Sequence, residues 1–309
     1  FLMKAAYFEE HGGPEVIKVG ELPDPIAGAG EVVIDIHASS VNGADWKVRE
    51  GSYKPVPYFP YILGRDFSGT VCEVGEGVSD FSIGDEVFGV CDVGQEGTYC
   101  EKISMKASLC APKPAEQSHV DIAALALIGL TAVISIEDTL RLKAGEKILI
   151  QGGAGGVASF AIQLAKHIGA HVISTTSAGN VDYVLGLGAD EVIDYNAHDF
   201  RNFVSDCDVV FDTVGGDVAK GAFNVLQKGG RAAFIASGAN GLESPSSDFT
   251  SLRPNVYRDR SHLERVVELI AAGAVAAPEV KLFSIDETVE AQKLSESRHF
   301  RGKLVFNIR

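Results

Sequence analysis

A chain of 309 residues, 46% hydrophobic and 22% charged, is long enough for two domains with large buried cores. That excludes a disulfide-dependent miniprotein and a largely disordered polypeptide. Lys and Arg total 27 against 42 Asp and Glu, for a net charge of −15, so electrostatic repulsion argues against nucleic acid and anionic lipid as partners.

The dipeptide Phe1-Leu2, ahead of Met3, reads as an addition outside the fold. From Met3 to about Ala111, short alternating or β-branched runs such as VIKVGEL, EVVIDIHA, SGTVCEVG and DEVFGV are cut by Gly and Pro, the texture of an antiparallel β domain. Within it Asp45 is expected to cap a short helix starting at Trp46, and Asp66 to anchor the loop after Gly64 rather than act as acid or base. Lys47 and Arg65 are cations that could hold a carbonyl oxygen or a cofactor phosphate. Gly84-Asp85 and the stretch Gly94 to Gly97 read as turns.

From about Val120 helical patterns alternate with short apolar strands, predicted at 147–151, 171–175, 191–194, 208–213 and 231–236. This is the βαβ rhythm of a parallel sheet. Beyond Pro254 come two helical stretches, 262–272 and 287–297, and a closing strand KLVFNI that could return to the first domain. The expected fold class is α/β: a β domain over 1–120 completed by 258–309, and a doubly wound parallel-sheet domain over 121–257. The five cysteines, Cys72, Cys91, Cys100, Cys110 and Cys207, never form CxxC. No apolar run approaches the roughly 18 to 20 residues of a membrane span, and no signal core is evident. A cytoplasmic protein without disulfides or membrane contact is expected.

The stretch KILIQGGAGGVASFAIQLAKHIGAHVISTT sets strand, glycine turn and helix in immediate succession. Gly153, Gly155 and Ala158 fill the G-x-G-x-x-G/A template: the first for the tight turn, the second so that backbone N–H groups reach a pyrophosphate, the third for helix-on-strand packing. Val157, Phe160, Ala161, Leu164 and Ile168 give the helix one apolar face, and its N-terminus would point at the phosphates. A carboxylate for the ribose 2′-hydroxyl is expected about 20 residues on. The chain reads HVISTTSAGN there, with none before Asp182. Thr176, Ser177 and Asn180 could instead bond a 2′-phosphate, or merely cap the next helix; NADPH is favoured.

Together VNGADWKVREGSY, PYILGRDFSGTVCEVGEGVSDFSIGDEVFGV, GLTA, GGAGGVA, LGADEVIDY, DTVGG and RGKLVF resemble the zinc-independent quinone oxidoreductases of the medium-chain dehydrogenase/reductase superfamily. The resemblance runs almost end to end. It implies a GroES-like β domain with an inserted Rossmann domain, an active site in the cleft, and an NADPH-dependent, commonly homodimeric reductase of quinones or α,β-unsaturated carbonyls. It assigns Asn42 and Thr131 to the nicotinamide half, Tyr53 to the active-site tyrosine, and Gly155, Gly156 and Val157 to the pyrophosphate loop. Ser177 and Tyr195 match positions near the 2′-phosphate, and Ser237 and Gly238 would lie against the cofactor. Gly43 stands where the family usually has Pro, and Gly179 near a usual Lys or Arg.

Zinc-dependent relatives use a Cys early in the first domain, a His-Glu pair after a Gly, and closely spaced cysteines. Here Asn42 to Asp45 contains no Cys, Gly64 is followed by Arg65-Asp66, and Cys91, Cys100 and Cys110 are widely separated, so a metal-free site is expected. Two alternatives stay open: an enoyl-thioester reductase, and an NADPH-binding protein with little turnover.

Overall fold

The computed structural model describes residues 1–236 and 242–309. The chain divides into two compact units, residues 1–127 with 257–264 and 277–309, and residues 128–256 with 265–276. In chain order the first stretch forms β1 (Leu2–Tyr7), β2 (Lys18–Pro23), β3 (Glu31–Ser40), α1 (Gly43–Glu50), β4 (Asp66–Val74), β5 (Glu86–Val90), β6 (Lys102–Lys106), β7 (Cys110–Pro112) and α2 (His119–Val133). The middle forms β8 (Lys147–Ile150), α3 (Gly156–Ile168), β9 (His171–Thr176), α4 (Val181–Gly186), β10 (Glu191–Asp194), β11 (Cys207–Asp212), α5 (Gly216–Lys220), α6 (Ala222–Val225), β12 (Leu226–Phe234) and β13 (Thr250–Leu252). The last stretch adds α7 (Arg260–Ala271), β14 (Val280–Phe283), α8 (Thr288–Ser297) and β15 (Lys303–Asn307).

In the first unit β3 is the hub, paired antiparallel with β4, β6 and β15. The sheet order is β14-β15-β3-β4-β5-β7. The β-branched and apolar residues Val32, Ile34 and Ile36 of β3 bury fully against Phe67, Val71 and Met105, as period-2 patterning requires. Across the strand from β3, Leu304 and Phe306 of β15 join a second cluster with Val41 and Tyr99. The ring centroids of Tyr99 and Phe306 lie 4.7 Å apart. The closing strand therefore lies inside this sheet. The dipeptide expected to lie outside the fold takes part in it: Leu2 pairs with Pro23, and the Asp24 N–H donates to the Phe1 carbonyl at 3.0 Å.

The second unit's sheet is parallel throughout, in the order β10-β9-β8-β11-β12-β13. Counted from β8 this is 3-2-1-4-5-6, the doubly wound dinucleotide-binding order, whose switch point falls between β8 and β11. Leu149, Ile173, Val210 and Ala232 from four neighbouring strands share one buried cluster with Phe234. β12 begins five residues before the predicted 231, because Leu226 already pairs with Cys207 across an irregularity in the ladder. The edge strands β13 and β14 are too short for a periodic signal.

The expectation that no apolar run approaches the length of a membrane span is corrected as well. The helical stretch 119–139, including a π-helical turn over Ile134–Thr139, is long and apolar enough to cross a membrane by composition alone. Its most apolar window is 78% buried inside the protein, which identifies it as a core helix. All five cysteines are free thiols.

Candidate active site

Strand β8 delivers the glycine turn. The left-handed residue is Gly152, at φ +76°, and not Gly153. Gly153 is required for a different reason: a Cβ there would sit 2.4 Å from Ser174 Oγ and 2.9 Å from Val184 Cγ1. The turn is fastened to β9 by the Gly153 N–H, which donates to Thr175 O at 2.9 Å. Gly155, exposed at the N-cap of α3, faces open space apart from Gly152 O, 3.3 Å from an ideal Cβ. The first backbone bond of α3 runs from Ser159 N–H to Gly155 O. The amides of Gly156, Val157 and Ala158 therefore precede it and point off the positive end of a 13-residue helix dipole.

Beside the turn, β9 ends in buried Thr176, followed by Ser177. The Tyr195 N–H donates to Thr176 O at 3.1 Å, and Asn180 Nδ2 donates to Ser177 Oγ at 3.3 Å. The structure thus gathers Gly155, Gly156, Val157, Thr176, Ser177 and Tyr195 around the carboxyl ends of β8, β9 and β10. One neighbour escapes sequence inspection: Asp194, the last residue of β10, stands in register with Thr176. Its carboxylate accepts from the Asn196 N–H at 3.0 Å.

At the switch point, Gln151 Nε2 and Asp212 Oδ1 are buried without a hydrogen-bond partner among the described residues. Asp212 Oδ2 accepts the Gly215 N–H at 2.8 Å, and burial raises its carboxyl above the ordinary range. Orphaned polar atoms at a switch point, beside free helix amides, fit a dinucleotide. Thr131 lies in α2 and is 8% exposed. Ser237 and Gly238 fall outside the described residues.

In the first unit the site centres on Asn42. It is the N-cap of α1, and Asp45, expected as the cap, is the third helical residue instead, its carboxylate accepting the Asn42 N–H at 3.0 Å. The Asn42 carboxamide, 8% exposed, is held from both sides: Nδ2 donates to Asp66 Oδ2 at 3.2 Å, and Oδ1 accepts from Lys303 Nζ at 2.8 Å. Lys303 also donates to Val41 O at 2.8 Å. Asp66 accepts in addition from the Ser40 N–H at 3.1 Å and Ser40 Oγ at 2.7 Å. Burial lifts the Asp66 carboxyl and lowers the Lys303 ammonium, and the positive charge of Lys303 opposes the first shift as the negative charges of Asp66 and Asp45 oppose the second. Asp66 is therefore more than a loop anchor.

Asp45 Oδ2 also accepts the Tyr99 hydroxyl at 2.6 Å, while Oδ1 has no partner among the described residues. Burial pushes this carboxyl up to about 6. Tyr53 follows α1 at 61% exposure, and its hydroxyl bonds no other described residue. Lys47 Nζ lies 5.6 Å from the Trp46 ring centroid and 6.0 Å from that of Tyr53. Arg65, the other candidate cation, is engaged by Glu96 at 3.1 Å. Sequence reasoning missed Lys303. Its signal was a lysine opening a strand, LVF, that is otherwise apolar, with partners that no local spacing reveals. Among the described residues no group of three or more His, Cys, Asp or Glu converges as a metal site.

Family models match residues 28–115, as an alcohol dehydrogenase GroES-like domain, and 187–306, as a zinc-binding dehydrogenase. A chloroplastic quinone oxidoreductase of Triphysaria versicolor is 32% identical over 98% of this chain and 98% of its own. The 2-methylene-furan-3-one reductase of Solanum lycopersicum is 32% identical over 99% of this chain and 79% of its own. Among solved structures, the Escherichia coli quinone oxidoreductase complexed with NADPH superposes with a TM-score of 0.90 at 27% identity, covering 98% of this chain and 99% of that one.

Proposed function

As the chain belongs to the quinone oxidoreductase family of the medium-chain dehydrogenase/reductase superfamily, we propose that it uses NADPH to reduce a quinone or the conjugated double bond of an enal or enone. The observation that carries the cofactor assignment is the exposed Gly155 turn, with the free amides of α3 beside a strand tip, Thr176-Ser177, that offers hydroxyls and no carboxylate of its own. Gly153 holds that turn against β9, Gly155, Gly156 and Val157 would bind the pyrophosphate, and Ser177 with Tyr195 would approach the 2′-phosphate. When bound, the nicotinamide supplies a hydride. Asn42 and Thr131 would orient the nicotinamide half, and the free Tyr53 hydroxyl is the donor available to a substrate oxygen on which negative charge grows. The relatives named as quinone oxidoreductase and furanone reductase support both substrate classes.

The stretch 171–180 that forms the Thr176 tip carries no arginine or lysine, and Asp194 is in register beside it, so the preference for NADPH over NADH should be modest. Absorbance loss of each cofactor against quinones, enals, enones, saturated aldehydes and an enoyl thioester tests the reading. Equal or better use of NADH removes the NADPH assignment. Turnover confined to the thioester, or absent throughout, removes the quinone and enone assignment in favour of the corresponding alternative. The proposed active species is a homodimer, which a monomeric sedimentation profile under assay conditions would rule out.

A further inference from the structure

Lys303 is 4% exposed, and an ammonium taken out of water is costly unless something in its surroundings needs the charge. Its strand neighbours Leu304, Val305 and Phe306 are fully apolar and buried, so a leucine or methionine would satisfy packing at the same position. Its hydrogen bonds go to two oxygens, Val41 O and Asn42 Oδ1, each at 2.8 Å, rather than directly to a carboxylate. The carboxylate stands on the other side of the same amide, Asp66 Oδ2 at 3.2 Å from Asn42 Nδ2.

We propose that Lys303 is a positioning residue which, together with Asp66, locks the Asn42 carboxamide in one of its two flip states. A lysine only donates and an ionised carboxylate only accepts. Flipping the amide would set NH2 against the ammonium and C=O against the carboxylate, so two contacts would turn repulsive at once. In the locked state one N–H of the carboxamide remains for a ligand, always on the same side. The ammonium on Oδ1 also draws charge along the amide, which strengthens the remaining N–H as a donor. Asp45 fixes the backbone of the same residue through the Asn42 N–H, so main chain and side chain are held by separate carboxylates.

The inference rests on the assignment of Asn42 to the nicotinamide half, and a double-mutant cycle separates the two. Asn42→Ala, Lys303→Met and the double variant are compared for kcat and for NADPH affinity measured by fluorescence titration. Lys303→Met should lower kcat by about 10- to 100-fold, the range for a misplaced site group. In the Asn42→Ala background the same change should cost less than about twofold, because the group it positions is gone. Lys303→Arg, which keeps the charge, should recover part of the loss. Independent, multiplying effects would overturn the positioning role and leave the lysine structural. An Asn42→Ala enzyme with unchanged kcat and NADPH affinity would instead overturn the site assignment. Should Lys303→Met fail to fold, Asp66→Asn takes its place in the same cycle: its amide can face Asn42 either way, so the expected coupling is the same, and additivity overturns the proposal equally.

Discussion

In the second unit the candidates for the phosphate groups come from one continuous stretch, 153–195, and offer backbone amides and hydroxyls at the ends of parallel strands. In the first unit Asn42 depends on charged side chains, Asp45, Asp66 and Lys303, buried to 4% exposure or less and gathered from three separate places in the chain. The difference shows two ways to prepare a site for a charged, partly apolar ligand. A glycine turn needs no charge of its own, because the helix end supplies partial charges that solvent can still reach. A buried amide clamp needs full charges, and each must be compensated at short range.

The sharpest way to break the comparison is to remove a group that neither strategy buries. Tyr53→Phe deletes an exposed hydroxyl with no partner among the described residues, so folding should be untouched while enal turnover falls by about 10²- to 10³-fold at unchanged NADPH affinity. Quinone reduction, which can draw protons from water, should suffer less. Steady-state rates on both substrates check this, and an unchanged enal rate ends the donor assignment.

Next in size is the contrast between two glycines of one turn. Gly153→Ala places a methyl on Ser174 and Val184 and should cost about 1 to 3 kcal/mol of stability, as overpacking does. Gly155→Val should leave the melting temperature nearly unchanged and weaken NADPH and NADH alike, since its side chain occupies space beside the helix amides. Calorimetry and titration of both variants would separate packing from binding; identical behaviour would erase the distinction.

A smaller effect tests the buried charges. Burial raises the Asp45 carboxyl from 3.8 to about 6 in the folded chain. A raised pKa means that the folded state holds the proton more tightly, so this contribution is complete below the unfolded value and is lost as pH rises through about 6. Between about pH 5 and 7.5 the wild type should lose of the order of 1 kcal/mol that Asp45→Asn does not lose. Denaturant titrations at both pH values measure the difference, and parallel slopes would refute it. At the limit of no effect stands metal: dialysis against a chelator should leave activity unchanged, and activity restored specifically by zinc would contradict the site described above.

Much of the second unit was legible because its determinants are local. Strand, turn and helix from Lys147 to Ile168 follow each other without a gap, and β10 matched its predicted bounds. The error there was one residue deep: the template assigns the tight turn to Gly153, whereas Gly152 carries the positive φ and Gly153 answers to side-chain packing. Asp194 was hidden because only strand pairing sets it beside Thr176. In the first unit a motif singles out Asn42, but the partners of its side chain were not legible: the lysine on its carboxamide is 261 residues away. Periodicity sees faces of helices and strands, not which distant side chain fills a polar gap in them. Asp45 was misassigned as the cap, three residues past Asn42, since N-cap and third helical residues share the same chemistry and only the backbone conformation at Asn42 separates them.

The position of β15 has a consequence for the order in which the protein can be made. This strand sits between β14 and β3, in the interior of the first unit's sheet, and it follows all the other described elements in sequence. A ribosome releasing residues at about 5 to 20 per second normally lets the earliest domain fold first. Here the earliest strands must wait, because the gap beside β3 and the cation for Asn42 both arrive with Lys303–Asn307. The inserted unit, with its last residues at 265–276, can close beforehand. Nascent chains stalled before residue 303 should therefore protect the parallel sheet from protease while the β3–β4 region stays cleavable.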